Sequence, residues 1–434
     1  MTIDTGGLAT GGAVGAGGEQ GEADVLVLGA GIIGVCVAAS LAMRGKSVVI
    51  IDRRAPGEET SYGNAGLIQR EGVYPYGFPH DFGALLRYGM NRTIDAHYHL
   101  SALLTIAPFL YRYWRHSQVK SHDAIARQYV TLIAHCVEEH LAMADAAGSR
   151  DLLRGNGWIK AFRSERARDQ QFAEAERWRG EFGVNYRTLT PEALAEAEPF
   201  LVPGLAGALH WTDPWTVTDP HALVLAYMRL AERHGARFVQ ANAGSLAPHG
   251  AGWRVQAPGG PVTARDAVVA LGPWAEVLTR ALGYNLPLAV KRGYHMHYRP
   301  AGEARLNHPV LDVERGYFLA PMRQGIRLTT GAEFALRDAP RTPVQLGRAE
   351  PIARDFFPLG ERLEPQSWMG ARPCTPDMLP IIGPAPRHHH LWFAFGHAHH
   401  GLTLGPVTGR LVADMVTGEP PFVDPAPFRA TRFS

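Results

Sequence analysis

ADVLVLGAGIIGVCVAASLAMRGKSVVIIDRRAPGEETSYGNAG, residues Ala23 to Gly66, decides the fold. Val25 to Leu28 is an apolar run too short for a helix and rich enough in Val and Leu for a buried parallel strand. Gly29, Gly31 and Gly34 follow at once. The first lets the chain turn sharply, the second lets backbone approach a pyrophosphate, and the third lets the new helix pack on the strand. That helix opens at Ile32 and Ile33, where free N–H groups and a positive dipole end face the phosphates. Ala38 and Leu41 carry its packing face, Gly45 ends it, and Val48 to Ile51 forms a second buried strand closed by Asp52 and Arg53. An acid about 20 residues beyond the glycines is placed to accept hydrogen bonds from ribose hydroxyls. The same unit serves NAD and FAD, so the following loop, Thr60 to Gly66, carries the discrimination. It is small and polar, and through Ser61, Asn64, Ala65 and Gly66 it suits a second set of contacts to a long dinucleotide.

Outside this stretch, 434 residues at 46% hydrophobic content suffice for two domains with substantial cores. Lys and Arg total 43 against 41 Asp and Glu, a net +2 that gives no bulk case for nucleic-acid binding. Cys36, Cys136 and Cys374 match no disulfide or metal spacing, so a reducing, cytoplasmic setting is expected. Residues 1–22 read as a disordered Gly- and Ala-rich leader, with no signal-peptide pattern.

Along the chain, Tyr74 to Phe82 is irregular and helical patterns then run to Gly148. Leu103 to Trp114 joins an aromatic and aliphatic face to Arg112, Arg115 and His116. Such a helix can lie in a membrane interface, although Pro108 and the small basic count favour a partly buried helix. Asp219-Pro220 caps an amphipathic helix over Ala222 to His234. Strands are expected at Arg237–Gln240, Trp253–Gln256, Val262–Arg265 and Asp266–Gly272, the last ending in small residues beside a cofactor. Ala289–Tyr298, Gly316–Ala320 and Ile326–Thr330 read as an antiparallel sheet. The expected fold is therefore α/β, a doubly wound cofactor domain (residues 23–85, 219–286 and 365–434) interleaved with a substrate domain (86–218 and 287–364) built on an antiparallel sheet.

Two C-terminal runs complete the pattern: Trp368-Met-Gly-Ala-Arg-Pro-Cys-Thr-Pro-Asp-Met-Leu-Pro-Ile-Ile-Gly383, and Gly396-His-Ala-His-His-Gly401 followed by a helix over Leu402 to Val416. With the Thr60–Gly66 loop, these runs resemble the flavin-dependent amino-acid oxidases and dehydrogenases, the family of D-amino-acid dehydrogenase, glycine oxidase and sarcosine oxidase. The resemblance spans Asp24 to Phe433. It implies non-covalent FAD, because the cysteine that attaches flavin in sarcosine oxidases aligns with Gly370. It also implies oxidation of the Cα–N bond of an amino acid by hydride transfer to flavin, the substrate being a D-amino acid or D-hydroxyproline.

By the same resemblance Arg372 clamps the substrate carboxylate, Tyr317 adds a second contact, and His399 faces the substrate across the flavin. Gly272, Gly396, His400, Gly401, Leu402 and Thr403 join the cofactor contacts. A structural reading of Arg372 pairs it with Asp377 instead; for Tyr317 a core position is the competing reading. No metal is expected from the histidines of this turn. Two residues depart from the family pattern: Arg292 stands where a lysine commonly precedes Gly293, and His400 where leucine is common. Electrons pass to a quinone or respiratory acceptor if the Trp114 helix touches a membrane, and to oxygen, as in glycine or sarcosine oxidases, if it does not. A non-catalytic dinucleotide-binding protein and an NAD-dependent dehydrogenase are the readings from other classes.

Overall fold

The computed structural model describes residues 20–433. Residues 1–19 of the expected leader lie outside the described residues. The organising stretch forms β1 (Gln20–Leu28), α1 (Ile32–Met43) and β2 (Val48–Asp52). Parallel pairing aligns Leu28 with Ile51 on one side and with Val269 on the other. Arg237–Gln240 extends the parallel sheet beyond β2, and Leu391–Phe395 extends it beyond Val262–Val269. The carboxyl ends of these strands thus share one edge, where Gly29, Asp52 and Ala270 emerge. Doubly wound sheets bind their ligands at such an edge.

Helix α1 is apolar on every side and buried along nearly its whole length, as a helix sandwiched between other elements must be. It packs on the helices Pro220–Arg233 and Gly405–Thr417. The close approach to Gly405–Thr417 depends on glycine. A Cβ on Gly405 would lie 2.9 Å from Ile32, and one on Gly409 would lie 2.6 Å from the carbonyl oxygen of Cys36.

The second sheet has eleven strands, and Ala289–Pro300 is its hub. Gly325–Thr329, Ala332–Phe334, Leu359–Arg362 and Trp368–Cys374 all pair antiparallel to it. Tyr317–Met322, Val310–Asp312, Trp158–Phe162 and Gly207–Trp211 continue outward. A three-stranded sheet joins β3 (Leu67–Ile68), Trp215–Val217 and Leu153–Arg154.

The structure corrects several expectations. Val262–Val269 is one continuous strand where two were expected. The last helix starts at Gly405, because residues 401–404 form a turn and Pro406 supplies a helix-initiating residue. Trp368–Cys374 belongs by pairing to the larger sheet, although the sequence reading placed 365–434 with the cofactor domain. Cys136–Ala147 packs on Pro220–Arg233 and Gly405–Thr417 in the first layer, because Cys136, His140, Met143 and Ala144 bury there.

Candidate active site

A cavity of about 1130 Å³ runs from the carboxyl edge of the parallel sheet to the face of the second sheet. Asp52, Arg53, Asn242, Gly272 and Trp274 line one end. Asp52 accepts the Ala30 N–H at 2.7 Å and the Arg54 N–H at 3.1 Å, which fixes its carboxylate beside the glycine turn. Arg53 lies 4.4 Å from the centre of the Trp274 ring and pairs with Glu59.

Next along the cavity come Gly29, Gly31, Ile32 and Ile33. Gly29 has φ +110°, and a Cβ there would sit 2.4 Å from the Ala270 carbonyl oxygen. Ser61 Oγ accepts the Ile32 N–H at 2.9 Å, so the polar loop is tied to the helix start. Ile33 and Gly34 keep first-turn N–H groups without intrahelical partners. These free donors, the cradle that a Cβ at Gly29 would close, and the ribose-side carboxylate fit the diphosphate and ribose of a dinucleotide.

Arg372 projects from Trp368–Cys374 at the other end of the cavity. Among the described residues, its single side-chain hydrogen bond goes from Nη1 to the Gly331 carbonyl at 3.2 Å. Asp377, the competing partner, pairs instead with Arg432 at 2.8 Å. Burial lowers the Arg372 pKa from its ordinary value, opposed by Cys374 and Tyr76. The guanidinium lies over Gly293 on the paired strand, where a Cβ would stand 2.5 Å from Nη2. A charged planar fork with free donors facing a cavity has the chemistry to bind a carboxylate.

Lys291, Tyr76, Tyr113, Met378, Cys374 and His399 complete this end. The His399 ring packs at a tilt against Tyr76 and His400, its centre 4.4 Å and 3.8 Å from theirs. Burial first, then His400, Arg372 and Lys291, drives its pKa well below the ordinary histidine value, so the imidazole is neutral at pH 7. Trp368 stacks on His295 at 4.8 Å. Its ring fills the space above Gly63 and Gly370, where a Cβ on either would collide at 2.1 and 2.0 Å.

Not every expected contact has its polar group free toward the cavity. Tyr317 donates its hydroxyl to Asp312 at 3.0 Å, and its ring packs 6.1 Å from Phe356. Tyr317 thus lines the cavity while its hydroxyl is engaged by Asp312 in the core beneath the sheet. Strand alternation explains the slip: the neighbouring Phe318 packs toward the other core, against Trp158.

His400 is buried with Nδ1 2.6 Å from the Tyr129 hydroxyl, and Thr403 donates to the Leu67 carbonyl at 3.1 Å. Neither lines the cavity, and the same holds for Gly396, for Gly66 and for Gly34 within α1. Asn64, Ala65, Gly401 and Leu402 do line the cavity.

Sequence reasoning missed Lys291, because Arg292 held the attention. Arg292 faces the other side of the sheet, in a buried pair with Glu333 at 2.6 Å. It missed Arg327 as well, whose Nη1 donates to the Asn64 carbonyl and whose Nε donates to His297 at 2.9 Å. The only group of three candidate metal ligands among the described residues is His97, His99 and Glu333, and that carboxylate is already held by Arg292.

A glycine-cradled dinucleotide edge joined by one cavity to a sheet that presents a guanidinium is the arrangement of a dinucleotide-dependent enzyme. The chain belongs to the FAD dependent oxidoreductase family, whose model matches residues 24–415. It is 32% identical over 425 residues to a D-amino-acid oxidase of Bradyrhizobium diazoefficiens, covering 94% of this chain and 98% of that protein. It is 29% identical over 444 residues to a D-amino acid dehydrogenase of Chromohalobacter salexigens, covering 94% and 99%. Among solved structures, glycine oxidase from Geobacillus kaustophilus superposes with a TM-score of 0.74 at 25% identity, covering 95% of this chain and 99% of that one. The protein is thus an FAD-dependent oxidoreductase of the amino-acid oxidase and dehydrogenase type, with the mixed α/β fold of that family.

Proposed function

We propose that the protein oxidises the Cα–N bond of a D-amino acid or of D-hydroxyproline, giving an imine that hydrolyses to a 2-oxo acid or persists as a cyclic imine. The observation that carries this reading is Arg372, a half-buried guanidinium on the cavity that has one backbone hydrogen bond and no carboxylate partner among the described residues. The names of the relatives supply the D-amino-acid class.

Asp52, the glycine turn at Gly29 and Gly31, and Ser61, Asn64 and Ala65 would hold FAD, which when bound supplies the two-electron acceptor. Arg372 holds the substrate carboxylate by paired N–H donors and so fixes where Cα stands. Neutral His399 offers a ring nitrogen to the substrate amino group without adding positive charge beside it. Tyr76, Tyr113 and Met378 line this end of the pocket. The contribution of these residues is positional, and none of them needs to act as a base when the amine enters neutral.

The electron acceptor is read from the cavity mouth. Helices α2 (Phe82–Gly89) and α3 (Leu103–His116) expose Phe82 at 78%, Leu104 at 91% and Tyr111 at 60%, with Arg87, Arg112 and Arg115 among them. Leu85, Leu103 and Leu110 of the same segment line the cavity. No described helix is long and apolar enough to cross a membrane. A basic, aromatic rim continuous with the cavity favours peripheral contact with an anionic membrane and a quinone or respiratory acceptor.

Anaerobic bleaching of the bound flavin by a panel of D- and L-amino acids, glycine, sarcosine and hydroxyproline isomers tests the reaction. Bleaching by D-acids that Arg372→Leu weakens greatly, with flavin retained, is expected; unchanged kinetics in that variant would sink the assignment. Stoichiometric peroxide in air would instead favour the oxygen-using alternative.

A further inference from the structure

Lys291 and Arg372 are directly opposed residues of the antiparallel strands Ala289–Pro300 and Trp368–Cys374. Opposed side chains leave a sheet on the same face, and here that face is the cavity wall. Two cations at such positions repel one another unless anions compensate them. None of the described carboxylates forms an ion pair with either residue. The Lys291 side chain is 9% exposed. Its ammonium contacts Met378 Sδ at 3.9 Å and stands 4.0 Å from the centre of the Tyr113 ring and 5.6 Å from that of Phe334. Ring faces and a thioether are weak company for a buried ammonium, whose desolvation they offset only in part.

The neighbouring groups do not resolve this excess of positive charge. His399 is neutral and carries no compensating anion. Cys374 is buried and donates its thiol to the Arg372 carbonyl at 3.5 Å. Its pKa is raised, by burial above all, so it remains a thiol. Asp377 is engaged by Arg432, and Glu333 lies across the sheet with Arg292. Once one substrate carboxylate occupies Arg372, a second cation still faces the same pocket unpaired.

We infer that Lys291 is a specificity-determining residue that receives a second carboxylate, so that the preferred substrates are short amino acids carrying two carboxylates. The inference rests on the amino-acid reading of the Arg372 site and narrows it to acidic substrates. The opposed strand positions place the origins of the two cationic side chains about 5 Å apart, so both enter the same end of the cavity.

The test compares matched acid and amide pairs on the flavin-loaded enzyme: D-glutamate with D-glutamine, and D-aspartate with D-asparagine, with D-hydroxyproline as a neutral cyclic comparator. Anaerobic stopped-flow bleaching gives a limiting rate and a dissociation constant for each. The acid is expected to exceed its amide at least tenfold in the ratio of limiting rate to dissociation constant, with the difference residing in the dissociation constant. In Lys291→Met that selectivity falls toward unity, and in Lys291→Arg it is retained.

A second measurement needs no variant. Glutarate should perturb the flavin spectrum at a concentration at least tenfold lower than butyrate does, with an affinity that weakens as salt rises. Equal or better handling of the amides, or an equal loss for acid and amide in Lys291→Met, overturns the assignment of Lys291. Bleaching by neutral amino acids alone overturns it too, yet leaves amino-acid oxidation standing. No bleaching by any member of the panel overturns both.

Discussion

Gly293→Ala is the most exacting perturbation of the carboxylate site, because it touches Arg372 without removing it. A Cβ at position 293 would stand 2.5 Å from Arg372 Nη2, 2.8 Å from Cζ and 3.0 Å from Nη1. Ordinary contact between such atoms begins near 3.5 Å, so the guanidinium must lift by about 1 Å. The only bond that holds it in place, to Gly331, is 3.2 Å long and is lost early in that movement. A misplacement of this size in a positioning group costs up to about a hundredfold, and losing one charge-assisted hydrogen bond costs about 1.5–3 kcal/mol. We therefore expect kcat/KM toward the best amino acid to fall about 10- to 100-fold. The loss should come mainly through KM. Flavin absorbance per mole of protein should stay at the wild-type value, because the three nearest atoms that a Cβ at 293 would meet all belong to Arg372. The assay is steady-state turnover with an artificial electron acceptor, alongside anaerobic bleaching. A fall of no more than about threefold, in a variant that holds its flavin, would refute the argument that room above Gly293 positions the guanidinium.

Two further expectations concern stability. Burial raises the Glu71 pKa to about 7, opposed by its hydrogen bonds from Gln69 and Trp158. The folded protein therefore holds a proton there that the unfolded chain releases above about 4.5, and stability contributed by the neutral form is lost as pH rises from about 4.5 to about 7. Glu71→Gln should be more stable than wild type at pH 8, by up to about 3 kcal/mol in urea unfolding, and equal to it at pH 4.5; a pH-independent difference would refute this. Conversely, burial depresses His140 to about 4 and both His397 and His400 to about 3. Their neutral forms support the fold fully above about pH 6.5, and that support is lost as pH falls, because the unfolded chain takes up protons that the native sites refuse. With Glu71 opposing by one proton, stability should fall by roughly 3 kcal/mol per pH unit between about pH 6 and 4.5. A Tm that stays level from pH 7 to 5 would overturn this account.

The glycine turn and its strands were legible because backbone geometry dictates them: only glycine fits at position 29 against Ala270, and only a short apolar run fills a doubly covered strand. The position of Arg372 was legible from its run of flanking Gly and Pro residues. The phase of the second sheet was not. Lys-Arg-Gly-Tyr-His-Met-His-Tyr, residues 291–298, is buried on both faces, so hydropathy cannot say which cation meets the cavity. Pairing with Trp368–Cys374 settles it, sending Lys291 to the pocket and Arg292 to Glu333, and no local pattern encodes that register. The same blindness to phase misplaced the hydroxyl of Tyr317. The late start of the last helix was signalled by Gly405-Pro406, which the apolar run before it obscured.

The parallel sheet draws its strands from residues 20–52, 237–269 and 391–395, and α1 is clasped by a helix that ends at Thr417. On the ribosome, then, β1 and β2 emerge early but must wait for partners made hundreds of residues later. Their apolar edges stay open through most of synthesis, the condition in which nascent chains aggregate and chaperones intervene. The cofactor cradle can close only once residues 391–417 have left the exit tunnel, so removal of the helix Gly405–Thr417 is expected to forfeit dinucleotide binding at Gly29 and Gly31.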